Sequence, residues 1–519
     1  MSGARDLLLS KDLGPGQAEE LLRPYGFRDP LQADRELQSL AEDPEARRLL
    51  SVVVDDILMA ASDSADPDGA LTRFERFVRA SGSPTRVFSH LGADPRMIAV
   101  LLRSFGASPF LAEILIRQPG WMYWLSEPEV LARSRRREEI EADLALALAS
   151  LRSEERRRDA LRVAKRREIL HIGVRDLLRL ASVTETLGAL SALAEALIEA
   201  GLEVAASGAR EALGLDAKDE PPGGFVVLGM GKLGGGELNF SSDVDLVYVY
   251  DTDRGRVGRR RGGPGRGEYF HAVARRLTTV LSDLTEEGYV YRVDLRLRPE
   301  GGAGPVALPL SAFSRYYRER GATWERLALL KAWPAAGDRA LGARCLAQTR
   351  AFVFGRPFAE AETQEVRRLK SQIDRKMAVR GESLRHVKLG IGGIREIELV
   401  VQVLTARCGG RRPRLRQRGT LAALAALAQA QLLSGEQSQL LIDAYLFLRD
   451  VENKLQMVAD NQLHVLPEDP EAVRTHALRL GYRDHHGIAA GEALLEDYRR
   501  HTGAVHDLFG QAIGGTFPA

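Results

Sequence analysis

The chain has 519 residues, a net charge of +2, and 45% hydrophobic, 28% charged and 6% aromatic side chains. That near-neutral balance excludes a general polyanion binder, and no run of about 18 apolar residues is present to span a membrane. The length argues for roughly three structural units, and the abundance of Leu, Ala, Arg and Glu argues for helix.

The opening "MSGARDLLLSKDLGPG" has no long apolar core, so no secretory signal is expected. The first ~160 residues carry apolar positions at three- and four-residue steps, as in "DPEARRLLSVVVDDILMAAS" and "TRFERFVRAS", and predict helices joined by short Pro/Gly/Asp breaks. "SPFLAEILIRQPGWMYWL" reads as a packed helix pair holding two of the four tryptophans. Segment 135–215 predicts two or three long amphipathic helices.

The texture changes at "KDEPPGGFVVLGMG". Pro221, Pro222, Gly223 and Gly224 stop the helix, "FVVLGM" is a short buried strand, and "VDLVYVYD" is a second. The Arg/Gly-rich stretch 253–267 predicts a mobile loop, and "EYFHAVARRLTTVLSDLT" an amphipathic helix. "GYVYRVDLRLRPEG" predicts a third strand with Val290, Arg292, Asp294 and Arg296 on one face. From about 361 onward the pattern is helical. Cys345 and Cys408 stand far apart, in no metal-ligand spacing, which suits a reduced, cytoplasmic protein.

The chemistry concentrates in "GMGKLGGGELNFSSDVDLVYVY", 229–250. Alternate strand residues project to one side, so Asp243 and Asp245 point together. Two carboxylates that close need a counter-charge, and Mg²⁺ supplies it with carboxylate, water and phosphate ligands. If the third strand lies beside the second, Asp294 completes a three-aspartate cup for two ions about 4 Å apart, an arrangement suited to displacement at phosphorus. Gly229, Gly231, Gly234, Gly235 and Gly236 let backbone N–H groups approach phosphate oxygens, and Lys232 adds a charge. Ser241 and Ser242 hydrogen-bond phosphate or orient Asp243, while Arg292, Arg296 and Arg298 add positive charge. Alone, Asp294 could equally be a salt-bridge partner of Arg292 or Arg296. The combination points to metal-dependent nucleotidyl transfer, and it matches neither the Walker pattern nor the dinucleotide fingerprint.

These residues resemble the nucleotidyltransferase module of the glutamine synthetase adenylyltransferase/adenylyl-removing enzyme family. "LRVAKRREILHIGVRDLL" (161–178), "YRVDLRLRPEGGAGPVALPLSAFSRYYRERGATWERLALLKAW" (291–333), "VKLGIGGIREIELVVQVL" (387–404) and "YLFLRDVENKLQMVADNQLHVLP" (445–467) are similar to its other motifs. The resemblance covers most of the chain from about 110. It implies an α+β, mostly helical fold: a mixed sheet with helices at 161–355, between an N-terminal helical region, 1–160, and a C-terminal helical bundle, 356–519. It implies Mg²⁺ on Asp243, Asp245 and Asp294, and nucleotide phosphates held by Gly231, Lys232 and Ser242. It adds Lys388, Arg395, Glu396 and Glu398 as a second signature. Arg395 and Glu398, three apart, read either as an intrahelical ion pair or as a helix start near the phosphate channel. Trp324, Glu325 and Arg326 predict a helix start packed under the sheet.

Family members carry two such modules, one attaching AMP to a tyrosine of glutamine synthetase from ATP, the other removing it with phosphate to give ADP. This sequence holds one copy of each motif. Glu237 to Asp243, "ELNFSSD", is similar to the removing module, whereas the attaching module has Gly-Tyr or Gly-Phe for Asn-Phe. The implied partners are glutamine synthetase and the PII signal protein, with no nucleic acid. The alternatives are ATP-dependent attachment and a non-catalytic module that binds the same proteins. Glu452-Asn453-Lys454 stands where the family has Glu-His-Arg, and His464 reads as a satisfied polar residue.

Overall fold

A computed structural model describes residues 4–10, 14–215, 223–258, 263–458 and 461–514. The chain forms two compact units: one from 1–134, 166–186 and 450–497, the other from 135–165, 187–449 and 498–519. As the patterns predict, it is α+β and mostly helical. No helix among the described residues is long and apolar enough to cross a membrane.

The first unit is helical. Asp-Pro and Ser-Pro pairs open several of its helices, because proline tolerates the first helical position, and at some of them the preceding side chain caps a free N–H. Asp43 accepts from Ala46 N at 2.8 Å ahead of Pro44–Ser62, and Ser108 from Leu111 N at 3.1 Å ahead of Pro109–Arg117. The core gathers Leu50, Val54, Leu71, Phe74 and Phe77, with Phe77 edge-on to Phe105 at 5.7 Å. Lys454 is fully buried between Asp450, at 3.0 Å, and Asp176. The Glu-Asn-Lys variation of the last motif is thus a structural ion pair. His464 lies 3.0 Å from Glu452.

His476 is 1% exposed, and neither ring nitrogen has a hydrogen-bond partner among the described residues. Burial, then the Arg479 charge, lowers its imidazole to about 3, against the opposing pull of Asp450. The unfolded chain takes up this proton near pH 6.5 and the folded chain does not. Stability is therefore complete above that pH and falls as the pH drops, by about 2 kcal/mol at pH 5. The urea midpoint should fall between pH 7.5 and 5, and His476→Gln should flatten that slope. An unchanged slope in the variant would assign the acid sensitivity elsewhere.

The second unit is built on five strands: β1 Phe225–Gly229, β2 Val244–Tyr250, β3 Val293–Asp294, β4 Ala307–Pro309 and β5 Trp333–Gly337. The order is β3-β2-β1-β5, with β4 parallel to the far end of β2. β1 runs antiparallel to β2 and β5, and β3 parallel to β2. Both faces are covered, which is why β1 and β2 are apolar runs rather than alternating ones. Val226, Leu228, Val247 and Val249 pack on the helices Leu310–Glu319 and Arg339–Phe354. Phe225 and Tyr250 stack on Phe270 of the helix Arg266–Ser282 at 5.7 and 5.1 Å. Cys345 and Cys408 are free, and burial pushes the Cys345 thiol up to about 12.

Several expectations change. The long third strand shrinks to two residues, because backbone turns at Leu295–Arg298 and Arg298–Gly301 take the chain out of the sheet. Val290, Arg292, Asp294 and Arg296 therefore share no strand face. The Arg/Gly stretch closes as a turn with an Arg256–Gly265 bridge and a buried Val257, while its tip, 259–262, lies outside the described residues, as do Pro221 and Pro222. In the helix Thr323–Ala328, Glu325 and Arg326 are buried but Trp324 faces solvent.

Candidate active site

β2 begins at Val244 with Asp245 second, and its neighbour β3 pairs Val244 with Val293 and Asp245 with Asp294. Residues in register on adjacent strands project from the same face. Asp245 and Asp294 are thus neighbours, with Asp243 just ahead of the strand.

The glycine run is a single helical turn, Gly231–Gly235, rather than an open loop. Gly231 has a φ of +53°, and a Cβ there would lie 2.6 Å from the Asp245 Oδ2. Glycine is needed both for the backbone angle and because the carboxylate lies against the α-carbon. Gly234 has no room for a side chain either: a Cβ would come within 1.9 Å of the Lys331 carbonyl oxygen. Met230 N donates to the Asp245 carbonyl at 2.9 Å, tying this turn to the start of β2.

Burial, then the negative charges of Asp294 and Asp243, raises the Asp245 carboxyl to about 6, against the opposing pull of Lys388 and Lys232. Asp294 is held below the ordinary carboxylate range by hydrogen bonds from Arg296, whose Nε donates at 2.9 Å. Arg296 is 84% exposed. Arg292 takes a different carboxylate, donating from Nε to Asp243 at 2.7 Å and from Nη2 to the Ser241 carbonyl at 2.7 Å. With the side chains so arranged, no group of three or more His, Cys, Asp or Glu among the described residues is gathered to hold a metal ion. The donor set nevertheless suits a hard cation: two carboxylates in register beside a glycine backbone, with burial and neighbouring carboxylates disfavouring the charge on Asp245.

Lys232 Nζ donates to Asn239 Oδ1 at 2.8 Å, and the Ser242 hydroxyl donates to the same oxygen. Asn239 is therefore the fully buried hub of the segment, although the pattern marked no role for it. Arg298 is not gathered with the carboxylates. It donates to the carbonyls of Leu295, Gly302, Gly304 and Pro305 and holds its own loop. Lys388 acts electrostatically on both Asp245 and Glu398, which places the second signature beside the first. Arg395 makes the intrahelical pair with Glu398 at 3.3 Å. Glu396 pairs with Lys370 at 2.7 Å.

Sequence reasoning missed the brace behind the site. Lys331 is 6% exposed and donates to Glu237 at 3.0 Å, Glu398 at 2.8 Å and the Thr420 hydroxyl at 3.3 Å. Glu237 also receives the Thr420 amide and hydroxyl, and its carbonyl receives Arg449. Burial opposes charge on Glu398, yet Lys331 and Arg395 overcome it and hold the carboxyl well below its usual range. A lysine in an apolar stretch, "LALLKAW", is the one local sign of this.

Residues 98–348 match the family described as glutamate-ammonia ligase adenylyltransferase, and 363–513 match PII-uridylyltransferase. The bifunctional glutamine synthetase adenylyltransferase/adenylyl-removing enzyme of Rhizobium meliloti is 37% identical over 448 residues, 83% of this chain and 44% of that protein. Those of Thioalkalivibrio sulfidiphilus and Nitrosococcus oceani are 38% and 37% identical over 80% and 78% of the chain, each matched over 42% of its own length. The chain thus spans less than half the length of these relatives. With these matches running through the carboxylates, the glycine turn and the second signature, the chain belongs to the glutamate-ammonia ligase adenylyltransferase family.

Proposed function

We propose that this chain removes AMP from the adenylylated tyrosine of glutamine synthetase by phosphorolysis, on a site centred on Asp243, Asp245 and Asp294. One observation carries the reading: Asp245 and Asp294 stand in register on adjacent strands, with the Asp245 carboxylate against the α-carbon of Gly231. The removing direction rests on the "ELNFSSD" stretch, 237–243.

An oxygen of inorganic phosphate attacks the α-phosphorus. The bond to the tyrosine oxygen breaks, ADP forms, and the phenolate, of parent pKa about 10, takes a proton from solvent. Asp243, Asp245 and Asp294 would hold a pair of Mg²⁺ ions, which supply charge neutralisation at the attacking and leaving oxygens. Lys232, held by Asn239, presents its ammonium group to the phosphates beside Gly231. Arg292 fixes the Asp243 carboxylate and the Ser241 carbonyl, so both enter the site already oriented. Arg296, released from Asp294, adds positive charge for the incoming phosphate. Lys388 offsets charge on Asp245 from the other side. The likeness of 363–513 to PII-uridylyltransferase supports a response to PII protein. The free cysteines suit a reducing cytoplasm.

Adenylylated glutamine synthetase, incubated with the chain, Mg²⁺ and phosphate, should release ADP in proportion to phosphate. Label transfer from ATP to the unmodified protein, with no phosphate-dependent release, would reverse the direction. Neither reaction, with the partner still bound, would leave the non-catalytic module.

A further inference from the structure

A cavity of about 250 Å³ lies in the second unit, among the start of β5, the helix Arg339–Phe354 and the segment before Thr420, and none of the three aspartates lines it. Leu329, Leu346, Val353 and Phe354 line it with apolar surface, and Arg350, Arg416 and Arg418 also line it. Two of these guanidinium groups lie over aromatic rings: Arg418 is 4.1 Å from the centre of Trp333, and Arg416 4.7 Å from that of Phe354. Arg416 is fixed further by donating to the Gly409 and Gly410 carbonyls at 2.8 and 3.2 Å. Among the described residues, Arg418 meets one carboxylate loosely, Glu195 at 3.6 Å, and Arg350 pairs with none. Three cations against one partly engaged anion leave the cavity strongly positive, and low-dielectric walls focus that field. Guanidinium groups match carboxylate and phosphate oxygens in pairs, and stacking has already restricted their rotamers. The volume suits a small molecule of roughly ten heavy atoms.

The cavity also touches what holds the glycine turn. Trp333 is the register partner of Gly229, and Lys331, two residues before it, braces Glu237. A Cβ on Gly236 would lie 3.4 Å from the Arg418 guanidinium. A ligand that draws on Arg418 therefore pulls on a group in contact with the end of the turn that carries Gly231.

We propose that this cavity is a binding site for a small organic anion, a carboxylate or phosphate ester with a compact apolar body. Its charge engages Arg350 and Arg418 and its body the Leu329–Val353 floor. Benzoate and phenyl phosphate serve as probes of the two acid types, and benzamide as the neutral analogue, titrated calorimetrically into the full chain. At least one anion should bind saturably and benzamide should not. Arg350→Ala and Arg418→Gln should each weaken that binding by about tenfold, since each removes a charge-assisted contact. Asp245→Asn should leave it unchanged. Preference for benzoate would name a carboxylate as the natural ligand class, and preference for phenyl phosphate a phosphate ester. Equal binding by benzamide, equal affinity in the arginine variants, loss of binding in Asp245→Asn, or no saturable binding by either anion would each overturn the proposal. Arg350 is exposed and unpaired, so its replacement leaves the fold intact and the comparison informative.

Discussion

Asp245→Asn should lower turnover by about 10³-fold or more, the scale of loss seen when a group that stabilises transition-state charge is removed. It should also make the folded chain more stable. In metal-free buffer the Asp245 carboxyl sits near 6, above its ordinary 3.8, because burial and then Asp294 disfavour its charge. Between these values the folded state holds a proton that the unfolded state has released. Stability from this group therefore falls as the pH rises through 6, and above that the whole penalty is present. Asparagine keeps the shape and abolishes the charge, so the unfolding temperature at pH 8 in the presence of chelator should rise by a few degrees. Loss of activity joined to gain of stability marks a residue kept for chemistry. An Asp245→Asn variant that is less stable and within tenfold of the parent rate would make this aspartate a structural residue.

The second large effect is expected at Lys331. Lys331→Met leaves Glu237 and Glu398 facing each other without their shared cation, in a site where each side chain is 9% exposed or less. Removing one partner of a buried ion pair costs about 3–5 kcal/mol, and urea unfolding should show a loss of that order. The pH dependence should weaken as well. In the parent chain Glu398 is held below its unfolded range, so its contribution is present above about pH 4.5 and lost as the pH falls through the folded value. In the variant Glu398 keeps only Arg395 and Lys388 against burial, so its loss of stability on acidification should shrink. Adding Glu398→Gln should recover part of the loss. A single variant within about 1 kcal/mol of the parent, with the parent's pH slope, would show that the brace does not bear on folding.

Local geometry was legible where it follows spacing along one segment. Asp245 enters the apolar strand β2 as its pattern predicts, but Asp243 stands ahead of that strand, where alternation no longer fixes its direction. Gly231 is constrained by Asp245, and Gly234 by the carbonyls of Lys331 and Gly229. The reading failed at Arg292 and Arg296, which a continuous strand would put on one face. The two-residue length of β3 sends Arg292 to Asp243 and leaves Arg296 on Asp294. It failed at Trp324 too, since a tryptophan at a helix start carries no mark of which way that helix will face.

By itself the sequence determined the helical character of the flanks and the apolar strands β1 and β2. These follow from periodicity, capping and side-chain type, all properties of neighbouring positions. Only the tertiary structure decided that Asp294 stands across from Asp245, 49 positions away, and that Lys331 braces Glu237 and Glu398, at separations of 94 and 67. It alone gathered three arginines around one apolar cavity. Pairings of that range are set by which surfaces meet when the core closes, and desolvation there gives a charge its partner or leaves it none.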